Sequence, residues 1–145
     1  MTPSVEIRPT LKADLPLLLA WRQNPVVMHY FLDGGESWER HLAWWEAGQH
    51  RSYIINYEGR PVGEVHARLG DETEVGIYIG ELTLWGRGIG QRAMVLFLET
   101  EEMVGRWVVA SVHPHNRRSQ HMWEALGFKF VCVKEDGFWL YRRQG

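Results

Sequence analysis

The residues with the clearest chemical potential lie in one short run, Trp85-Gly86-Arg87-Gly88-Ile89-Gly90-Gln91-Arg92-Ala93. The run joins a segment that alternates like a strand to one that repeats like a helix. In that setting successive backbone N–H groups and the positive end of the helix dipole favour an anion. Glycine admits φ > 0 and lets a phosphate approach with no Cβ in the way. Arg87 and Arg92 add charge suited to phosphate oxygens. Three phosphate ligands compete for such a loop. A Walker loop needs Gly-x-x-x-x-Gly-Lys-Ser/Thr, a string the sequence lacks. A dinucleotide fingerprint forced onto Gly88, Gly90 and Ala93 asks for an acid about 20 residues on, at the end of the next strand. Position 111 there is Ser, and no βαβ unit precedes the loop. The third candidate is the pyrophosphate of a coenzyme A thioester.

A second group of residues suits a cation. Tyr30, Phe31, Asp33, Glu36, Trp38, Trp44 and Trp45 set aromatic faces beside carboxylates, a combination that receives an amine by cation–π and ion pairing. Asp33 and Glu36 are the candidates for a pocket rim, whereas Leu42 with Trp45 reads as helix core. The charge distribution agrees: residues 23–85 hold ten acids against four bases, and residues 86–145 hold nine bases against six acids. Such a split suits a cationic ligand meeting an anionic one. The formal net charge of −2 argues against nucleic acid as a partner. The single cysteine, Cys132, permits neither an internal disulfide nor a cysteine zinc site. His113, His115 and His121 have no carboxylate partner or ligand spacing that would make a metal centre, so none is expected.

The elements that position these groups follow from periodicity. Val5 to Arg8 alternates as a short strand ending at Pro9. Asp14 can cap a helix with Pro16 in its first turn, and Asn24-Pro25 breaks it. Ser37 can cap a second helix reaching about Ala47, and Gly48 ends it. Strands are predicted over 52–57, 61–69 and 73–79. A helix follows over 91–104, a buried strand over 106–112, and a helix over 116–126. Two final strands cover 128–133 and 138–142. The order is β-α-α-β-β-β-α-β-α-β-β, a single α/β domain over 1–145 with one mixed, mostly antiparallel sheet and helices on both faces. The longest uninterrupted apolar run is six residues, 93–98, far short of a membrane span. With no signal peptide at the N-terminus, a cytoplasmic protein is expected.

Taken together, Gly88-Ile89-Gly90 and the later Asn116-Arg117-Arg118-Ser119, followed by Glu124-Ala125-Leu126-Gly127-Phe128, resemble the two signatures of the GNAT acyltransferase superfamily. The variant Trp85-Gly86-Arg87-Gly88, with Asp14-Leu15-Pro16 to Trp21 and Asn24-Pro25, is nearest in pattern to the aminoglycoside and ribosomal-protein acetyltransferase branches. The resemblance implies that the strands on either side of the loop and its helix splay apart. Ile77 and Ile79 would offer backbone groups to the pantetheine arm, as in β-strand addition. Arg87, Gly88, Ile89, Gly90, Gln91 and Arg92 would hold the pyrophosphate. Asn116 would bond the arm, with Arg118 and Ser119 in reach of the phosphoadenosine end.

The resemblance also implies acetyl-CoA as cofactor and direct attack in a ternary complex, with orientation doing much of the work. An oxyanion donor is expected at the backbone N–H of Tyr78 or Ile79. Trp123 stands where the family often carries a tyrosine acid, and indole supplies no proton. Ser119 or His121 is then a candidate acid, unless the thiolate leaves to water. His113 is the leading base, since imidazole ordinarily titrates near ~6.5, with Glu81 and Glu74 as alternatives. The acceptor side would comprise Asp33, Glu36, Trp38 and His113. The expected activity is acetyl transfer to a primary amine of a small cationic molecule, by a monomer or homodimer. The alternatives are acetylation of a protein N-terminus or lysine, and a non-catalytic acyl-CoA-binding module.

Overall fold

The computed structural model describes residues 4–31 and 37–144. Strand β1 (Val5–Pro9) leads to helix α1 (Leu15–Arg22), then to α2 (Trp38–Glu46). Three consecutive strands follow: β2 (His50–Tyr57), β3 (Arg60–Arg68) and β4 (Glu72–Ile79). Helix α3 (Ile89–Leu98), strand β5 (Trp107–Val112), helix α4 (Arg117–Ala125) and strands β6 (Lys129–Val133) and β7 (Trp139–Gln144) complete the chain. The seven strands form one sheet in the order β1-β2-β3-β4-β5-β7-β6. Every neighbouring pair is antiparallel except β4 with β5. The element order and the mixed sheet match the expectation from sequence.

Alternation along the strands builds two cores. Ile55, Val65, Val75 and Val108 point to one face, where Ala93, Met94 and Phe97 of α3 and Trp123 of α4 cover them. Ile54 and Tyr78 point to the other, beneath Leu15, Leu18 and Trp21 of α1. Leu15 and Leu18 are fully buried, so truncating either to Ala should cost about 2–5 kcal/mol.

Two local expectations are corrected. Asp14 stands at the N-cap of α1 but makes no side-chain cap. Its carboxylate instead accepts from the Arg8 guanidinium at 2.8 and 2.9 Å and from the Leu11 N–H at 2.7 Å. The bond to Arg8 lowers the pKa of Asp14 and outweighs its partial burial. Helix α3 starts and ends earlier than the predicted 91–104. Gly88 is its N-cap with φ +75°, and the Thr100 hydroxyl donates to the Phe97 carbonyl at 2.8 Å, closing the last turn. The Ser37 cap on α2 is present, with the Arg40 N–H donating to its hydroxyl at 3.2 Å.

Candidate active site

The site begins where the parallel pair opens. β4 and β5 are in register only at Glu72–Trp107, Thr73–Val108 and Glu74–Val109. Beyond that point each strand is held by its other neighbour: β4 by β3 up to Ile79, and β5 by β7 up to Val112. The hydrogen-bond phase of β4 decides what the opening offers. The Gly80 N–H donates to the Val62 carbonyl at 2.7 Å, and antiparallel pairs alternate between bonded and non-bonded. Gly80, Tyr78 and Gly76 therefore spend their backbone groups on β3. Val75, Ile77 and Ile79 turn theirs toward the gap. Ile77 and Ile79 are the two residues proposed from sequence. The Ile79 carbonyl already accepts from the Trp85 indole N–H at 2.8 Å, which ties the glycine loop to the end of β4.

The loop meets the gap at the start of α3. The Arg92 N–H donates to the Gly88 carbonyl at 3.1 Å, so the amides of Ile89, Gly90 and Gln91 have no acceptor inside the helix. No side chain caps them. A Cβ on Gly88 would meet nothing within 4 Å, so the space before these amides is open. The Arg118 guanidinium of α4 lies 3.8 Å from the Cβ position of Gly86, on the same loop. Arg87, Gln91 and Arg92 are exposed around it. Bare amides at a dipole end with arginines beside them fit a diphosphate.

The gap is lined on one side by Val75, Gly76 and Ile77, and on the other by Ser111, Val112 and His113. Asn116 at the start of α4, Ser119 and Trp123 on that helix, and Tyr30 and Phe31 from the segment after α1 complete the lining. Asn116 caps α4, its Oδ1 accepting from the Ser119 N–H at 3.2 Å. The buried Trp123 indole donates to the Ser119 hydroxyl at 3.1 Å. The His113 ring packs on Tyr30, with centroids 4.9 Å apart, and on Phe138 at 5.4 Å. Its Nδ1 accepts from the His115 N–H at 3.0 Å. A neutral imidazole has one protonated nitrogen, so this bond places the proton on Nε2 and leaves the ring no free lone pair. In this arrangement the Nε2–H of a neutral His113 ring, the leading base candidate from sequence, is left to donate.

Other sequence candidates are not brought to the gap. Glu81 is exposed beyond the end of β4. Glu74 lies 3.9 Å from Arg68. His121 is exposed on α4, and Trp38 stands 40% exposed at the start of α2. Asp33 and Glu36 lie outside the described residues. No group of three metal-ligating side chains occurs among the described residues.

Tyr78 is the largest departure. Its amide belongs to β3, and its phenol turns under α1, donating to Glu64 Oε1 at 2.8 Å. The Ile79 N–H, not that of Tyr78, faces the gap. Glu64 is fully buried, paired with Arg22 at 2.9 Å and hydrogen-bonded by Ser52. Burial pushes its pKa up, but Arg22, His66 and the two hydroxyls outweigh this and hold the carboxylate ionised. Burial, reinforced by Glu64, raises Tyr78 well above its ordinary value. The neighbouring His66 stands over Gly76, where a Cβ would come within 2.4 Å of the imidazole. Burial lowers that histidine to about 4, so it is neutral. Beyond Ser52, a hollow of ≈ 210 Å³ is walled by Trp44, Trp45 and His50. Sequence reasoning missed this network. The available signal was Glu64, a lone acid between Val62 and Val65 in a strand.

A sheet opened between two parallel strands, beside an uncapped helix N-terminus, defines a protein that seats a phosphate-bearing ligand lengthwise along a strand edge. Residues 4–129 match the acetyltransferase (GNAT) domain family, and the chain belongs to it. Among curated proteins, the uncharacterized protein MJ1062 of Methanocaldococcus jannaschii is 37% identical across 93% of this chain. This chain spans only 30% of that relative's length. A solved structure of a domain from Methanocaldococcus jannaschii superposes with TM-score 0.90 at 32% identity, covering 99% of both chains. The aminoglycoside acetyltransferase AAC(6')-Ib in complex with coenzyme A shares the fold with TM-score 0.79 at 17% identity, over 97% of this chain and 95% of that one. No helix among the described residues is long and apolar enough to cross a membrane.

Proposed function

We propose that this protein transfers the acetyl group of acetyl-CoA to the primary amine of a small cationic acceptor, by direct attack with both molecules bound. The observation that carries the reading is the pairing of an open β4 edge at Ile77 and Ile79 with the unsatisfied amides of Ile89, Gly90 and Gln91. One end of coenzyme A is anionic and the other presents amides. This surface offers amide donors to the first and strand-edge groups to the second, as in β-strand addition. Arg87, Arg92 and Arg118 would neutralise the phosphates, while Asn116 and Ser119 flank the arm. The coenzyme supplies an activated thioester.

This chain's own residues then orient and stabilise. The Ile79 N–H, facing the gap and fixed by the β3 pairing of its neighbours, is placed to donate to a developing oxyanion. The His113 Nε2–H is a second donor, available to the oxyanion or to the departing sulfur. Donation without proton transfer fits a site where tryptophan occupies the place of the family's acid: the attacking amine gives up its proton to water, and the C–S bond breaks to release the thiolate to water. Tyr30 and Phe31 offer faces to a cation at the open mouth, and the acidic balance of residues 23–85 favours one.

Quenching of intrinsic tryptophan fluorescence by coenzyme A and acetyl-CoA tests the cleft, since Trp85 and Trp123 adjoin it. Saturable quenching is expected; its absence refutes the reading. Thiol release with polyamines, aminoglycosides and peptides tests the acceptor. Turnover on peptides alone would replace the small amine with a protein amine. Binding without any turnover would leave an acyl-CoA-binding module.

A further inference from the structure

One corner of the gap, where β5 meets the β6–β7 turn, carries a positive charge with no part yet in the reaction. Ser111 lines the gap, and the Lys134 ammonium donates to its hydroxyl at 2.9 Å. The turn is tied so as to hold that lysine. The Lys134 N–H donates to the Phe138 carbonyl at 2.7 Å, and the Lys134 carbonyl accepts from the Gly137 N–H at 2.9 Å. Asp136 Oδ2 lies 3.3 Å from the Lys134 Nζ, while Oδ1 accepts from the Phe138 N–H at 2.9 Å. A side chain that ordinarily moves freely in water is thus anchored at both its backbone and its head, with its charge against Ser111.

The contact fixes the polarity of that serine. An ammonium has three donors and no acceptor, so the Ser111 oxygen accepts and its own O–H is directed elsewhere. Ser119 of α4 is oriented in the same way by the Trp123 indole, but a neutral N–H stands behind it. Among the described lining residues, Ser111 is the hydroxyl backed by a full positive charge. Such a donor favours a ligand atom that is or becomes negative. In thioester aminolysis those atoms are the carbonyl oxygen and the sulfur. The oxygen has the Ile79 N–H, whereas the indole N–H of Trp123 is spent on Ser119 and leaves the sulfur without a donor.

We propose that Ser111, oriented by Lys134, donates to the sulfur of coenzyme A as the C–S bond breaks. The inference rests on the coenzyme reading above. The bonding electrons pass to sulfur and no proton moves, so the product is a thiolate held by a hydroxyl with a cation behind it. Ser111 touches the leaving atom, Lys134 is a positioning residue, and the His113 Nε2–H is left for the oxyanion. Other ionisable groups at this corner are His113 and His115 after β5, Tyr30 from the segment after α1, and Asp136 on the turn. Val75, Gly76 and Ile77 of β4 bring no charge, and His66 behind Gly76 is held neutral by burial. Arg118 of α4 is turned to the glycine loop.

The charge state of the bound thiol tests this without an acceptor. A sulfur accepting from the Ser111 hydroxyl would lie about 6 Å from the Lys134 Nζ. At an effective dielectric constant of ~20, a charge at that range favours the thiolate by about two pKa units. Asp136 and the solvent that reaches both side chains reduce this to about one unit. The bound thiol then titrates below the free one, so affinity climbs as pH rises between the two values. Fluorescence titrations from about pH 7.5 to about pH 10 should show coenzyme A binding tighten about tenfold. Acetyl-CoA has no ionisable thiol, and its affinity should stay level over that range in the wild type and in every variant, which also verifies folding. Lys134→Met should abolish the gain for coenzyme A, and Ser111→Ala should remove most of it. Ser111→Thr, which keeps the hydroxyl, should retain it. A gain that survives Lys134→Met, or wild-type affinities for the two ligands that run parallel with pH, would overturn the proposal. Failure to bind either ligand would instead refute the coenzyme reading on which it rests.

Discussion

Replacing Gly88 with alanine separates the loop's conformation from its role as a phosphate cradle. Gly88 sits at φ +75° with nothing within 4 Å of its Cβ position. In the free protein the added methyl group therefore costs only the left-handed backbone, about 1–2 kcal/mol. For a chain of this size that lowers Tm by roughly 2–8 °C. Gly105 has φ +83° and equally open surroundings, in the turn before β5, so Gly105→Ala should lose a similar amount. The two variants part company on coenzyme A. A methyl group at Gly88 enters the space in front of the Ile89, Gly90 and Gln91 amides, displacing one charge-assisted hydrogen bond worth about 1.5–3 kcal/mol. That corresponds to roughly 10–100-fold weaker binding. Thermal unfolding and fluorescence titration measure both effects on the same samples. Wild-type affinity in Gly88→Ala, or equal weakening in Gly105→Ala, would mean that the loop does not hold the phosphates.

Three further outcomes follow from the same geometry. Tyr78→Phe removes a hydrogen bond to the buried Glu64 carboxylate and should cost about 1.5–3 kcal/mol by urea unfolding. It should leave kcat within about twofold, and a large loss of kcat would put the phenol in the reaction. His113→Ala should lower kcat on the order of 100-fold, as for a lost oxyanion donor, with coenzyme affinity unchanged. His113→Gln, which keeps an N–H but cannot take up a proton, should retain most activity; a Gln variant as inactive as Ala would restore the base role. Folded stability should fall with acid, because His66 titrates at about 4 when folded against 6.5 otherwise. Between these values the unfolded chain binds a proton that the native state refuses. Stability is therefore full above pH 6.5 and declines by up to about 3 kcal/mol toward pH 4. His66→Phe should flatten the urea-unfolding profile over that interval; an unchanged slope refutes the assignment.

The strands and helices were legible because their periods are local. Val75, Ile77 and Ile79 mark one face of β4 whatever their surroundings, and the apolar repeat after the glycine loop marks the body of α3, though its first turn at Ile89 and Gly90 read as loop. Two things were not local. The side of β4 on which each amide lies depends on its register with β3, a cross-strand relation that no window of β4 encodes. Tyr78 and Ile79 therefore looked equivalent as donors in sequence, and only the Gly80–Val62 bond separates them. The Glu64 network was hidden for the same reason. Arg22, Ser52, Glu64 and Tyr78 come from α1, β2, β3 and β4, and each taken alone reads as an ordinary surface or strand residue.

That network bears on why the gap stays open. Two parallel strands whose free amides face each other gain by closing, since every buried N–H or C=O left unpaired costs about 1–3 kcal/mol. β5 cannot move toward β4 without breaking its pairing with β7, which runs the full length from Trp107 to Val112. β4 cannot move toward β5 because its alternate residues are anchored on the far side, Tyr78 by Glu64 and Gly76 beneath the His66 ring. Ile77 adds a third restraint, its Cδ1 lying 3.3 Å from the Cβ position of Gly90 on α3. The even-numbered residues of β4 thus hold the strand rigid while the odd-numbered ones leave their backbone groups exposed. A ligand amide entering the gap meets donors and acceptors already fixed in place, and little ordering of the strand opposes binding. On this argument, loosening the anchor should hurt coenzyme affinity without touching the cleft. A Gly76→Ala variant, whose methyl group must displace His66, should bind coenzyme A more weakly and exchange the β4 amide hydrogens faster, and wild-type exchange rates would show that the anchor is not what holds the edge.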